Sequence, residues 1–397
     1  MRIIVTGSNG DEIAQFYERH PYPPPISDLD ADVQAWNDGS RRRVEHARMW
    51  PTVPYRDDRE ILVAGCGTSQ AARYAARYPR AHVIGIDVSP ASLAATRRLV
   101  ERHDLTNLEL FELPVEEVAS LGRPFDHIVC TGVLHHLADP ETGLHELRDV
   151  LAPAGALRLM VYASYGRYGV YLLQDYCRRL GITARPDEIA DLVATLRELP
   201  TGHPISYALR DTPDFQDDDA LADALLNPRD RSYTVHELLD LVSAAGLRFG
   251  RWVHQAPYLP NCGALTETPH GRRIAAMAPP DQFATVELFR GTMQRHSAIV
   301  YRDDSALPLI DWDNWRSFVP IRPDTVVAVE ERLPPNVAAV LINRAHLDRD
   351  LIVFASASEK QVFEQIDGRT ALGDIAGATV EFARRLWRHD LVMIDAS

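Results

Sequence analysis

The sequence has almost no lysine. Lys360 is the only one among 397 residues, and arginine supplies the remaining positive charge. Acidic residues outnumber basic residues by 56 to 42, so the formal net charge is −14. A protein that follows nucleic-acid phosphates needs a basic face, and this balance therefore argues against a nucleic-acid partner. A local basic groove stays open, because arginines cluster at residues 41–43 and again in the C-terminal tail.

Cysteine and long apolar runs are also scarce. Cys66, Cys130, Cys177 and Cys262 lie far apart and form no CxxC pair, which excludes a zinc or redox spacing and a disulfide framework. No run approaches the ~18 apolar residues of a membrane span, and the N-terminus lacks the ~7–15 apolar residues of a secretion signal. We therefore expect reduced cysteines, a cytoplasmic location and no membrane partner.

Apolar strand patterns alternate with helical patterns from about residue 60 to residue 163. This alternation is typical of a parallel, doubly wound α/β sheet. The predicted strands are residues 61–64, 82–86, 108–111, 127–130 and 156–162. Later strand patterns at 247–253 and 298–301 are separated by a stretch that we expect to be mostly irregular.

Two glycine-rich segments follow strand patterns. TGSNG (Thr6 to Gly10) lacks the further glycine of a dinucleotide loop and runs into a proline cluster, so a terminal strand and turn is the better interpretation. ILVAGCGTSQ places Gly65 and Gly67 between a buried strand and a helical pattern. Glycine there lets the backbone approach a ligand, and the new helix offers free N–H groups to a carboxylate or phosphate.

The next strand, HVIGID, ends in Asp87, 22 residues beyond Gly65. An acid at this offset can accept both hydroxyl groups of a ribose, so we expect a ligand that contains a nucleoside. The alternative is a glycine turn kept for packing, with Asp87 as a helix N-cap. The third glycine of GxGxxG is missing from GCGTSQ, which disfavours a dinucleotide, and no GxxxxGK[ST] is present for a P-loop.

The combination of ILVAGCGTSQ, VIGIDVSP, FDHIVCTGVLHHLADP and GLHELRDVLAPAGALRLMVY resembles class I S-adenosylmethionine-dependent methyltransferases over about residues 60–163. The resemblance implies a Rossmann-like, mostly parallel seven-stranded sheet with helical insertions, and S-adenosylmethionine as cofactor. Gly65 and Gly67 would admit its methionine part, Asp87 its ribose, and Val88 and Val115 the faces of its adenine. Cys66, Gln70 and Thr131 complete the predicted cofactor set on the strand ends.

Two positions depart from the family pattern. Ala64 stands where an acid often contacts the methionine ammonium, and Pro114 lies near a missing acid for the adenine amine. Backbone carbonyls near Gly65 and Thr131, and backbone at residues 113–115, could replace these contacts. Glu112 and Glu116 are alternative partners for adenine.

The N-terminal FYERHPYPPP resembles a subgroup of these enzymes with a Tyr…Pro-Tyr-Pro segment before the sheet. By this resemblance Tyr17 and Tyr22 cap the cofactor, with a ring over the sulfonium and a hydroxyl for the carboxylate. The alternative is a proline-rich segment whose tyrosines pack on the core.

Methyl transfer needs residues that face the reacting group beyond the strand ends. His135 is the predicted catalytic base, because histidine titrates near neutrality, and a capping or packing role is expected for His136. Tyr165 in the loop SYGRYG is the second predicted catalytic residue, and Arg167 could hold a substrate carboxylate or phosphate. No carboxylate is spaced to complete a ligand set, so no metal site is expected.

The sequence divides into a cap segment (1–59), a cofactor domain (60–319) with a helical lid at about 170–230, and a C-terminal domain (320–397). We interpret residues 320–335 as a linker and the tail as a small, winged-helix-like α+β domain. It resembles extensions of some methyltransferases and modules that hold peptide substrates. The predicted reaction is methyl transfer to a small-molecule or peptide acceptor, and a homodimer is a further candidate state. Transfer or cyclisation of the aminocarboxypropyl arm, or a non-catalytic binding protein, are the alternatives.

Overall fold

The computed structural model describes residues 12–206 and 217–397. Its central element is a seven-stranded sheet in the order β3-β2-β1-β4-β5-β7-β6. Strands β1 to β5 run parallel, and β7 is antiparallel to both of its neighbours. The strands are β1 (Glu60–Ala64), β2 (His82–Asp87), β3 (Leu108–Glu112), β4 (Phe125–Thr131), β5 (Leu151–Tyr162), β6 (Leu247–Trp252) and β7 (Arg295–Arg302). The predicted seven-stranded, mostly parallel sheet is confirmed.

Helices cover both faces of this sheet, as expected for a doubly wound fold. Within β1, Leu62 and Ala64 pack into one apolar cluster, whereas Ile61 and Val63 pack into another on the opposite face. Because alternate side chains of a strand point to opposite faces, a strand buried on both sides is apolar throughout. The α-helices are Glu12–Arg19, Asp30–Ala35, Ser40–Met49, Gln70–Arg77, Pro90–His103, Pro140–Asp149, Tyr168–Leu180, Pro186–Leu196, Asp218–Leu226, Val235–Ala244, Pro269–Ala275, Pro279–Arg290, Ala357–Glu364 and Val380–Arg388.

Local sequence explains where the helices beside the site begin. Helix Pro90–His103 has proline in its first turn, and the Ser89 hydroxyl accepts the backbone N–H of Ser92. Proline lacks the N–H that would otherwise be unpaired there, and a serine cap contributes about 1 kcal/mol. Strand β2 therefore ends immediately before a well-defined helix start, which places Asp87 at the edge of the sheet.

The helical insertion lies between β5 and β6 and packs against the N-terminal helix. Val170, Leu173, Leu192 and Leu225 from the insertion share an apolar cluster with Phe16. The N-terminal segment therefore belongs to the same packed body as the insertion. The glycine pattern at 6–10 lies outside the described residues.

The C-terminal segment forms a small α+β unit with its own apolar cluster. It contains a three-stranded antiparallel sheet, β11-β10-β9, and a two-stranded pair, β12-β8. Val44 and Ala47 of helix Ser40–Met49 pack on Ile321 and Met393 of that pair. The strands are β8 (Val319–Ile321), β9 (Val326–Val329), β10 (Ala339–Asn343), β11 (Ile352–Ala355) and β12 (Met393–Asp395).

Two predictions about organisation were wrong. Residues 320–335 are not a plain linker, because β8 and β9 both use this proline-containing segment and pair with later strands. The stretch between β6 and β7 is not mostly irregular, since it holds the helices Pro269–Ala275 and Pro279–Arg290. Strand β8 pairs with β12, which is distant in sequence, so tertiary context decides its local conformation.

Candidate cofactor and acceptor site

A cavity of about 530 Å³ opens at the carboxyl ends of the parallel strands. Its size falls within the range of about 300–1,000 Å³ typical of small-molecule sites, and its place is where open α/β sheets bind ligands. All ten predicted cofactor residues lie on its wall: Tyr17, Tyr22, Gly65, Cys66, Gly67, Gln70, Asp87, Val88, Val115 and Thr131.

The glycine loop forms a close-fitting cradle. Gly65 and Gly67 have φ values of 65° and 54°, in the left-handed region that side chains rarely adopt. A Cβ on Gly65 would lie 2.3 Å from Val133 Cγ2, and one on Gly67 would lie 3.0 Å from the Tyr22 carbonyl oxygen. The loop therefore tolerates only glycine without a shift of its neighbours.

The Asp87 carboxylate lies beside this loop. It accepts the backbone N–H of Gly67 at 2.7 Å and that of Ser89 at 2.9 Å. Burial raises the pKa of the Asp87 carboxyl, although these hydrogen bonds oppose the shift. Each carboxylate oxygen can accept more than one hydrogen bond, so the group can still bind the hydroxyl groups of a ribose.

The far end of the cavity wall carries the segment after β3. Leu113, Pro114, Val115 and Glu116 line the cavity, and Glu112 does not. Of the two acids considered as partners for adenine, Glu116 is thus the one placed at the wall. Ala64, which stands where an acid often contacts the methionine ammonium, is buried in the sheet.

The N-terminal segment lies directly over the glycine loop. Thr68 Oγ1 donates to the Pro23 carbonyl oxygen at 2.6 Å, and Ser89 Oγ donates to the Tyr17 carbonyl oxygen at 3.2 Å. The Tyr17 hydroxyl donates to Asp223 of the insertion at 2.8 Å. The segment therefore connects the cofactor edge of the sheet with the insertion, and the cavity lies between them.

The adjacent histidines occupy different environments. His135 is fully buried and off the cavity wall, and neither of its ring nitrogens has a hydrogen-bond partner among the residues that the structure describes. Burial lowers the pKa of His135 well below its usual value. His136 lies on the wall, with Nδ1 2.6 Å from the carbonyl oxygen of Arg229. A carbonyl only accepts, so Nδ1 donates in this contact, and in the neutral ring the lone pair is on Nε2.

Tyr165 also lies off the cavity wall, with 42% of its surface exposed. Arg167 of the same loop does reach the wall, and its guanidinium carbon lies 3.6 Å from the centre of the Tyr162 ring. The Asp230 carboxylate lies 3.8 Å from this guanidinium. The structure therefore places Tyr162 and Arg167, rather than Tyr165, beside the cavity.

Sequence reasoning missed the second half of the wall. Met160, Arg295 and Ser297 contribute from β5 and β7, and His254 contributes from the loop after β6. The loop after β10, residues 345–348 of the C-terminal unit, also lines the cavity. These segments carry no sequence motif, and only the fold brings them to the edge where the glycine loop lies.

Comparisons with known proteins agree with this geometry. Residues 62–157 match a family model described as a methyltransferase domain. An uncharacterised protein of Synechococcus sp. is 28% identical over 313 residues, which cover 76% of this chain and 73% of that protein. Trans-aconitate 2-methyltransferase of Deinococcus radiodurans is 28% identical over 181 residues, which cover 44% of this chain and 64% of the relative.

A solved structure extends the similarity of fold to most of the chain. PKMT2 from Rickettsia typhi, in complex with AdoHcy, matches with a TM-score of 0.63 at 16% identity, covering 94% of this chain and 77% of that one. The sheet order, the glycine cradle and the matched family define a class I methyltransferase domain. The chain thus contains an S-adenosylmethionine-dependent methyltransferase domain. No helix in the described part of the chain is long and apolar enough to cross a membrane.

Proposed function

We propose that the protein methylates a small-molecule or peptide acceptor that enters between the N-terminal segment, the insertion and the C-terminal unit. The observation that carries this proposal is one cavity that both sets of residues share. The ten cofactor residues line one part of it, and His136, Arg295 and the loop at 345–348 line the rest. The wall therefore extends well beyond the residues assigned to the cofactor, and this further part is available to the acceptor.

The cofactor residues act as a cradle in this proposal. Gly65 and Gly67 let the backbone approach the methionine part, the Asp87 carboxylate binds the ribose hydroxyl groups, and Val88 and Val115 contact adenine. Tyr17 and Tyr22 close the cavity from above. Cys66, Gln70 and Thr131 complete the wall beneath them.

His136, in place of His135, is the proposed general base. S-adenosylmethionine supplies an electrophilic methyl group on a sulfonium when it is bound. The lone pair on His136 Nε2 takes the proton of an acceptor N–H or O–H group as the methyl bond forms. The Asp230 carboxylate lies close to His136 and compensates the positive charge that the ring then acquires, because one ligand atom of each lies within 4.8 Å of the other.

The three segments have separate proposed roles. Residues 1–59 form the cap, residues 60–319 hold the cofactor with a lid at about 170–230, and residues 320–397 form the C-terminal domain beside the acceptor. The four cysteines are all buried and free, which supports the proposal of a reducing, cytoplasmic location.

The test is a product assay with methyl-labelled S-adenosylmethionine and fractionated cell extract. Release of S-adenosylhomocysteine with label in the acceptor supports methyl transfer, whereas methylthioadenosine would show that the aminocarboxypropyl arm moves. His136→Asn keeps a donor toward Arg229 but removes the base. We expect its turnover to fall about 100-fold or more, because general bases contribute about 10²–10⁴-fold.

His145→Asn is the matched control, since His145 lies on the outer helix Pro140–Asp149 with 55% of its side chain exposed. Both variants should bind S-adenosylhomocysteine as the wild type does. Unchanged turnover in His136→Asn would refute the assignment of the base and leave the assignment of the reaction intact.

A further inference from the structure

The acceptor side of the cavity ends at a cluster of two histidines and one aspartate. His254 follows β6, His346 lies in the loop after β10, and Asp390 precedes β12. One ligand atom from each residue lies within 4.8 Å of the other two. His254 and His346 also lie on the cavity wall. The cluster thus joins the C-terminal unit to the sheet at the surface that faces the acceptor.

Asp390 is held rigidly at the base of this cluster. It is fully buried and lies in the left-handed region with φ 54°. Oδ1 accepts from Arg251 at 3.0 Å, while Oδ2 accepts the Ala256 N–H at 3.0 Å and lies 3.2 Å from His346 Nε2. The Arg251 guanidinium beside Oδ1 favours the ionised carboxylate.

The two imidazoles have unused nitrogen atoms. Nδ1 of His254 and Nδ1 of His346 are both buried without a hydrogen-bond partner among residues 12–206 and 217–397. A buried polar atom without a partner costs about 1–3 kcal/mol, and a cation bound through His254 Nδ1 and His346 Nε2 would remove that cost at His254.

We propose that His254, His346 and Asp390 bind a zinc-type divalent metal ion with an open position toward the acceptor side of the cavity. Two neutral imidazoles and a carboxylate form a ligand set that zinc uses in sites with an open position. The 3.2 Å between His346 Nε2 and Asp390 Oδ2 is close to the edge of about 3.3 Å between ligands of a tetrahedral zinc with bonds of about 2.0–2.1 Å.

Arg251 limits the affinity that we expect for the metal ion. It remains on Oδ1 and orients the carboxylate as an outer partner, which is common at metal sites. Its positive charge also opposes a dication, so binding is micromolar rather than as tight as at structural zinc sites. The open position can take water or an oxygen or nitrogen atom of the acceptor. Ion binding does not depend on methyl transfer, so the two proposals are tested separately.

The test titrates chelator-treated, full-length protein with Co²⁺ and follows ligand-field absorption in the visible, with Zn²⁺ calorimetry in parallel. We expect one ion per chain, and at least tenfold weaker binding in His254→Ala and in His346→Ala. His270→Ala is the control, because His270 is an exposed histidine on helix Pro269–Ala275. Its metal binding should equal that of the wild type.

Binding of S-adenosylhomocysteine verifies that each variant is folded, because the cofactor residues lie at the other end of the cavity. The proposal is overturned if the wild type shows no saturable absorption with equimolar Co²⁺. It is also overturned if the His254→Ala/His346→Ala double variant binds the metal as tightly as the wild type. In either case the cluster is a hydrogen-bonded junction between the two parts of the chain.

Discussion

Replacing Asp87 by asparagine gives a sharp test of the cofactor site. The carboxylate accepts two backbone N–H groups, from Gly67 at 2.7 Å and from Ser89 at 2.9 Å. Asparagine has almost the same shape but only one acceptor oxygen. Its NH₂ group therefore faces one of these donors, and a hydrogen bond from the ribose must compete for the remaining oxygen.

The expected loss of S-adenosylhomocysteine affinity follows from the negative charge that Asp87→Asn removes. Hydrogen bonds to an ionised group contribute about 1.5–3 kcal/mol, so Asp87→Asn should weaken S-adenosylhomocysteine binding by about 10- to 150-fold. Calorimetry measures the dissociation constant, and thermal unfolding separates loss of binding from loss of fold. Glu109→Gln is the matched control: it removes an exposed carboxylate of neighbouring β3 that contacts His82 at 2.7 Å. A change of less than twofold in Asp87→Asn would refute the proposed ribose contact.

Two further predictions concern stability. Gly65→Ala adds left-handed strain and places Cβ 2.3 Å from Val133, so it should destabilise the protein by about 2–4 kcal/mol in urea unfolding. Gly122→Ala has a similar φ of 64° with open space around the added Cβ, and equal losses in both variants would contradict the clash. Burial lowers the pKa of His127 to about 3, below an unfolded value of about 6.5. Stability from the neutral ring is complete above the unfolded pKa and is lost as pH falls toward the folded pKa. Wild type should lose about 2 kcal/mol through this residue between pH 7.5 and pH 5, and an equal pH dependence in His127→Gln would contradict that origin.

The cofactor half of the site was predictable because its chemistry is local. A tight backbone approach needs glycine at Gly65 and Gly67, and a ribose contact needs an acid at the end of the next strand. Both requirements appear within 22 residues of one another, on an alternating strand and helix pattern. The strands β1 to β4 were predicted within two residues at each end, because most of their residues are apolar and helical patterns separate them.

The choice between His135 and His136 could not be made from the sequence. The two residues are adjacent in the short helix Leu134–His136, and either could face the cavity. The carbonyl oxygen of Arg229, 93 residues away, sets the tautomer of His136, whereas His135 turns into the packed interior. The residues around His135 and His136 do not predict this contact, because Arg229 belongs to the distant helical insertion.

The acceptor half of the wall follows from one feature of topology. Strand β7 is antiparallel to β5, so its first residues, including Arg295 and Ser297, lie at the same edge as the carboxyl ends of the parallel strands. The loop at 345–348 reaches that edge because Asp390 holds both it and the segment after β6. The wall beside the glycine loop and the wall proposed for the acceptor are thus formed by segments that are separate in the sequence. Substitutions at 345–348 should therefore change the Michaelis constant for the acceptor and leave S-adenosylhomocysteine affinity unchanged, since the glycine loop and Asp87 lie outside that segment.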